Sequence, residues 1–119
     1  MTNDPMKYNN QLADRVREAL QHLPDVEEKE MFSGVCFMVN GKMCVCVSHD
    51  DLLCRIGADE MEAALENNDV RQMIMARDKP SKDYVYVSEE GFHRQQDFDH
   101  WIKLCLDFNP KAKASKKKK

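Results

Sequence analysis

Five cysteines and four histidines are the residues of this 119-residue chain with most chemistry to offer. Four thiols crowd one stretch, at Cys36, Cys44, Cys46 and Cys54, with His49 among them; Cys105 stands apart. Thiolates and imidazoles are zinc ligands, and alternate residues of a strand share a face. Cys44 and Cys46, joined by Cys36 or Cys54 and His49, therefore sketch a metal centre. The spacing argues against it: a zinc knuckle wraps Cys-x-x-Cys around the metal in a turn, whereas Cys44-Val45-Cys46 sits inside an apolar run. Nucleophilic catalysis needs a thiol of lowered pKa with a base in reach. His22, His49, His93 and His100 fall at helix ends, in turns or on a polar helix flank, and nothing in the spacing sets one beside a thiol. No metal, no cofactor, no catalytic residue and no enzymatic activity are expected. The thiols read as small buried hydrophobes, and their odd number argues against a disulfide framework.

Arg55 is the more distinctive candidate. It lies between Leu52-Leu53-Cys54 and Ile56-Gly57, where a strand hands over to a helix. An arginine at a helix N-terminus suits an anion, but an ion pair with a surface carboxylate is the favoured reading, because exposed ion pairs are common. Together with Lys82, at the end of the loop Arg77–Lys82, it defines the candidate binding residues. Met31, Met38, Met43, Met73 and Met75 could offer an adaptable contact surface, but as periodic apolar positions they are expected to fill the core. The four glycines are isolated, so no phosphate-cradling loop exists, and Glu89-Glu90 reads as a solvated turn.

These residues need elements to position them. Asn40-Gly41 between two apolar runs signals a two-residue hairpin. It predicts strands over Glu30–Val39 and Lys42–Ser48 whose paired positions sum to 81, so that Phe37 faces Cys44, Val35 faces Cys46, Met38 meets Met43 and Cys36 meets Val45. Both faces of this ribbon are apolar, which a sheet open to water on one side would avoid. One face calls for helices, and the other for a further helix or a second copy of the chain. Upstream, a helix is predicted over Pro5–Leu23, capped by Asp4 and stopped by Pro24. The acidic link Asp25–Glu30 leads into the sheet. Downstream come a strand over Leu52–Ile56, a helix over Asp59–Asn67, strands over Gln72–Ala76 and Asp83–Val87, a turn at Ser88–Gly91 and a helix over Gln95–Phe108. The order α-β(3)-α-β(2)-α argues an α+β fold with an antiparallel-rich sheet and helices packed on it.

The runs MFSGVCFMVNGKMCVCV, DLLCRIG and YVYV, followed by a Trp-containing last helix, resemble the TfoX/Sxy N-terminal domain family from about Leu12 to Phe108. Ser33 replaces the usual glycine, and Lys79-Pro80-Ser81-Lys82-Asp83 replaces a Pro-Met-Lys-Gly loop. The resemblance implies an α+β domain similar to type III secretion chaperones and YjbR-like domains, which often pair as dimers. Full-length members add a helical C-terminal domain and act in competence gene expression beside the cyclic-AMP receptor protein. The resemblance brings no catalytic residues.

Length and a 42% hydrophobic content suit one globular domain, expected over residues 1–110. The end Lys111–Lys119 holds six lysines and no acid and reads as a disordered tail. Without it, twelve cationic residues face 21 acidic ones, a balance of −9. Such a body is a poor surface for nucleic acid, leaving only weak, non-specific contact by the tail. With no membrane-length apolar run and no secretory layout at the N-terminus, a cytoplasmic location is expected. The functional expectation is a protein-interaction or regulatory domain acting as a homodimer with an unidentified protein partner. An accessory role in transcription or competence is the first alternative, and a small ligand-binding domain or enzyme around Arg55 the second.

Overall fold

The side-chain oxygen of Asn9 accepts the Leu12 amide at 3.1 Å and so starts the first helix, α1 (Asn10–Leu20). The computed structural model describes residues 8–31 and 34–112. The expected cap Asp4 and first-turn Pro5 lie outside these residues. Tyr8, expected within the helix, instead bridges to His49. Six strands follow as β1 (Val26–Met31), β2 (Gly34–Val39), β3 (Lys42–Ser48), β4 (Asp51–Arg55), β5 (Val70–Met75) and β6 (Lys79–Val87). The helices α2 (Ala58–Leu65), α3 (Glu89–Phe92) and α4 (Gln95–Phe108) complete the chain, with a final 3-10 turn over Asn109–Lys111. The strands form one antiparallel sheet in the order β1-β2-β3-β4-β6-β5, an α+β fold.

Four expectations are corrected. The acidic link is itself a strand: β1 pairs antiparallel with β2, Met31 opposite Gly34. Its charges do not prevent this, because β1 is an edge strand with exposed glutamates. The loop Arg77–Lys82 shrinks to a turn at Ala76–Asp78, and Lys79–Lys82 belongs to β6. Residues Glu89–Phe92 form a short helix where a turn was expected. Finally, the hairpin register slips. Met38 faces Met43 and Val39 faces Lys42, but a bulge at Phe37/Met38 then sets Phe37 opposite Val45, Cys36 opposite Cys46 and Val35 opposite Val47. One extra residue on β3 bends the strand and carries Cys44 and Val45 to the same side. The turn is as predicted, with Asn40 and Gly41 at φ 56° and 78°.

All four helices bury their apolar residues on one side of the sheet. Leu12, Val16 and Leu20 of α1, Met61 of α2, Phe92 of α3 and Phe98, Trp101 and Cys105 of α4 join Phe37, Val45, Leu52 and Val85 in one core. Two buried polar contacts lock α4 in place. Trp101 Nε1 donates to Gly91 O at 3.0 Å, and Asn109 Nδ2 donates to Val39 O at 3.0 Å. Asn40 Nδ2 donates to Asn109 Oδ1 at 3.1 Å, tying the helix end to the hairpin turn. Ala112 is buried; residues 113–119 of the lysine-rich end lie outside the described ones. No helix among the described residues is long and apolar enough to cross a membrane.

Candidate functional site

The other face of the sheet carries no helix among the described residues. Register places its side chains in rows. One row runs across the whole sheet as Lys29, Cys36, Cys46, Leu53, Tyr86 and Arg71, each opposite the next. A second runs Glu27, Met38, Met43. It continues through Arg55, which donates to Met43 O at 3.3 Å, to Tyr84, opposite Arg55. At the centre, Cys36, Met38, Met43, Cys46 and Leu53 are buried. What shields them is a ring of partly buried long side chains, Met31, Met73, Tyr84 and Tyr86. The expected two-sided apolar ribbon is therefore present: helices cover one face, and among the described residues the second carries only its own side chains.

The five cysteines divide between the two faces. Cys36 and Cys46, brought opposite by the bulge with Cα atoms 4.0 Å apart, form a disulfide on the helix-free face. The expectation that all thiols stay free holds only for Cys44, Cys54 and Cys105, which are buried. The reason is the register slip, since unbulged pairing would have set Cys36 against Val45. The three free thiols meet beneath α4. The Cys44 thiol hydrogen-bonds to Cys105, which with burial pushes its pKa far above the ordinary 9.0. Burial chiefly, aided by a hydrogen bond to Cys54, pushes Cys105 up as well. Protonated, buried thiols are poor nucleophiles and poor ligands. All four histidines are exposed, on the far side of the solvent boundary from them. Among the described residues, no group of three or more His, Cys, Asp or Glu is arranged to hold a metal ion.

Arg55 is 11% exposed and engaged by its own chain. Its Nε lies 3.5 Å from Asp83 Oδ2, in line for attraction but without a hydrogen bond. Its guanidinium carbon sits 5.4 Å from the Tyr84 ring centroid and 5.9 Å from that of Phe108. Burial raises the Tyr84 pKa, with Arg55 opposing the shift. Tyr84 Oη donates to Met43 Sδ at 3.5 Å. Lys82 is exposed, two positions before Tyr84 on β6, in the stretch where the pairing with β5 shifts register. Arg55 thus stands opposite Tyr84, and among the described residues nothing brings Lys82 into contact with either. A cleft of about 300 Å³ shares Asp83 with Arg55, but Asp59, Glu60 and Asp107 also line it, against the single cation Lys111. That lining repels anions. A larger cleft of about 430 Å³ near Trp101 is likewise rimmed by Glu60, Asp69, Glu90 and Asp97, with Arg94 as its cation.

Sequence reasoning passed over Asn109, which satisfies the Val39 carbonyl, and Ile74, which stands 56% exposed near the end of β5. The only local signal for Asn109 was its place between a helix and Pro110. No curated protein and no solved structure matches the chain significantly. The model of the TfoX N-terminal domain matches residues 18–109, which span every strand, α2 to α4 and the helix-free face. This chain belongs to the TfoX N-terminal domain family.

Proposed function

We propose that the chain is a non-enzymatic regulatory domain that works by protein contact, as a homodimer joined through the helix-free face of its sheet. One observation carries this reading. Nine apolar or aromatic side chains, from Met31 to Tyr86, gather on a face over which no described helix lies. Burying part-exposed Tyr and Met area is worth about 25 cal/mol per Å², so a large enough patch supports association. A second copy is favoured as occupant because one row of this face is acidic at Glu27 and basic at Arg55. Turned end for end, it meets its own complement.

Sedimentation equilibrium of the full chain tests this. A dimer mass in the micromolar range is expected, shifting toward the monomer when Tyr86, partly buried on the rim, is replaced as Tyr86→Glu. A monomer mass at every accessible concentration would overturn it.

Membership of the family supports a second reading, an accessory role in transcription or competence regulation. Duplex DNA binding by the chain, with and without Lys111–Lys119, discriminates. Affinity that survives removal of the lysines favours this role. Affinity that vanishes with them at all salt concentrations reduces it to non-specific attraction.

A further inference from the structure

The Cys36–Cys46 bond stands on the face that no described helix covers. It ties two strands that the ladder from Gly34–Ser48 to Val39–Lys42 already holds together, across a sequence separation of 10. Disulfide stabilisation grows with the loop that is closed, so a short loop gains least from being stapled. In the resting arrangement the sulfurs are shut in, Cys36 at 0% and Cys46 at 1% exposure. Their cover is no backbone layer, however, but the side chains of Met31, Met73, Tyr84 and Tyr86, packed against the cluster and themselves only partly buried. Partly exposed side chains change rotamer far faster than strands unpair.

No other thiol of the described chain competes for the bond. Cys44, Cys54 and Cys105 are buried on the helix side of the sheet, and Cys44 and Cys105 are held protonated there. The nearest charge in the row is a cation. Lys29 on β1 lies directly opposite Cys36, and side chains opposite one another share a face. Glu27 and Met31 flank Lys29 on that face. Beyond Cys46 the row goes on through Leu53 and Tyr86, with no charge until Arg71. We infer that Cys36–Cys46 is a reversible thiol–disulfide exchange site for dithiols, entered through the side-chain rim, with Lys29 as the positioning residue that favours Cys36 as leaving group. A dithiol's thiolate attacks Cys46 Sγ. The new S–S bond forms as the Cys36–Cys46 bond breaks, and the electron pair leaves on Cys36 Sγ beside the Lys29 ammonium. The second thiolate of the dithiol then attacks its own sulfur in the mixed disulfide and releases Cys46. The two protons given up by the dithiol end on Cys36 and Cys46, the dithiol departs as a cyclic disulfide, and the chain has gained two electrons. An external disulfide runs the sequence in reverse. This site does not depend on the homodimer reading.

The full chain, diluted well below the micromolar range so that the face is free, is treated with dithiothreitol, pulsed with iodoacetamide and analysed by mass spectrometry. Two labels are expected, on Cys36 and Cys46, while Cys44, Cys54 and Cys105 stay unlabelled, at a rate proportional to the dithiothreitol concentration. Oxidised glutathione should then close the bond again. Tyr86→Ala should speed reduction by opening the rim. Lys29→Gln should slow it about threefold, the scale of one exposed charge contact, with Lys29→Arg close to wild type. Labels that reach all five cysteines together would mean that reduction waits for global unfolding, and would overturn the site. So would labelling of Cys36 and Cys46 in protein first treated with oxidised glutathione. Equal rates for Lys29→Gln and wild type would overturn the role of Lys29.

Discussion

Cys44 and Cys105 show how a residue with reactive chemistry is silenced by its place. The Cys44 thiol is held protonated by its hydrogen bond to Cys105 and by burial, and the Cys105 thiol by burial and by its hydrogen bond to Cys54. The consequence is a pH dependence of stability. Below the ordinary thiol value of 9.0 both folded and unfolded thiols are protonated, and the contribution is intact. Above it the unfolded chain releases protons that the folded chain retains. Stability then falls, by up to about 1.4 kcal/mol per pH unit for each such thiol. Burial of Tyr84 adds a loss in the same direction above its ordinary 10.0. Urea midpoints between pH 7.5 and 10.5 should drop, and the double variant Cys44→Ala/Cys105→Ala should show a shallower drop. Equal slopes for the two proteins would contradict this.

Among the elements, α4 and the β2–β3 hairpin depend on each other through Asn109. Asn109→Ala removes the donor to the buried Val39 carbonyl and should cost about 1–3 kcal/mol, read as a lower urea midpoint. An unchanged midpoint would mean that water replaces the amide without loss. What was legible in the sequence follows from what each element relies on. The hairpin turn, β4, the Met61 side of α2 and the Phe98–Trp101–Cys105 stripe of α4 announce themselves by turn chemistry or apolar period. The strand β1 does not, because VEEKEM has its pattern diluted by an exposed edge position. The bulge has no local sequence mark, so pairing inferred from the turn was right for Met38 and wrong from Phe37 onward. For the candidate site, Arg55 was visible from its unusual setting. Its occupation by Asp83, Met43 and two rings came from β6, β3 and α4, which no local reading brings together.

At the scale of the whole molecule, helices crowd one layer while the other is left to flexible methionines and tyrosines. A homodimer through that layer makes thermal stability depend on mass action. The midpoint of thermal unfolding should rise by about 2–4 °C for a tenfold increase in protein concentration. A midpoint independent of concentration would point to a self-sufficient monomer.

The spare residue in β3 also acts as a sorter of sulfur. With it, two cysteines share the bare layer and three the shielded one. Deleting Cys44, which has no partner in the ladder, would give uniform pairing with Cys46 still facing Cys36. With Cys44 kept and the irregularity ironed out, Cys46 would swing beneath the helices and Cys36 would lose its mate. One irregular backbone step thus decides which part of this chain an oxidant can stitch together.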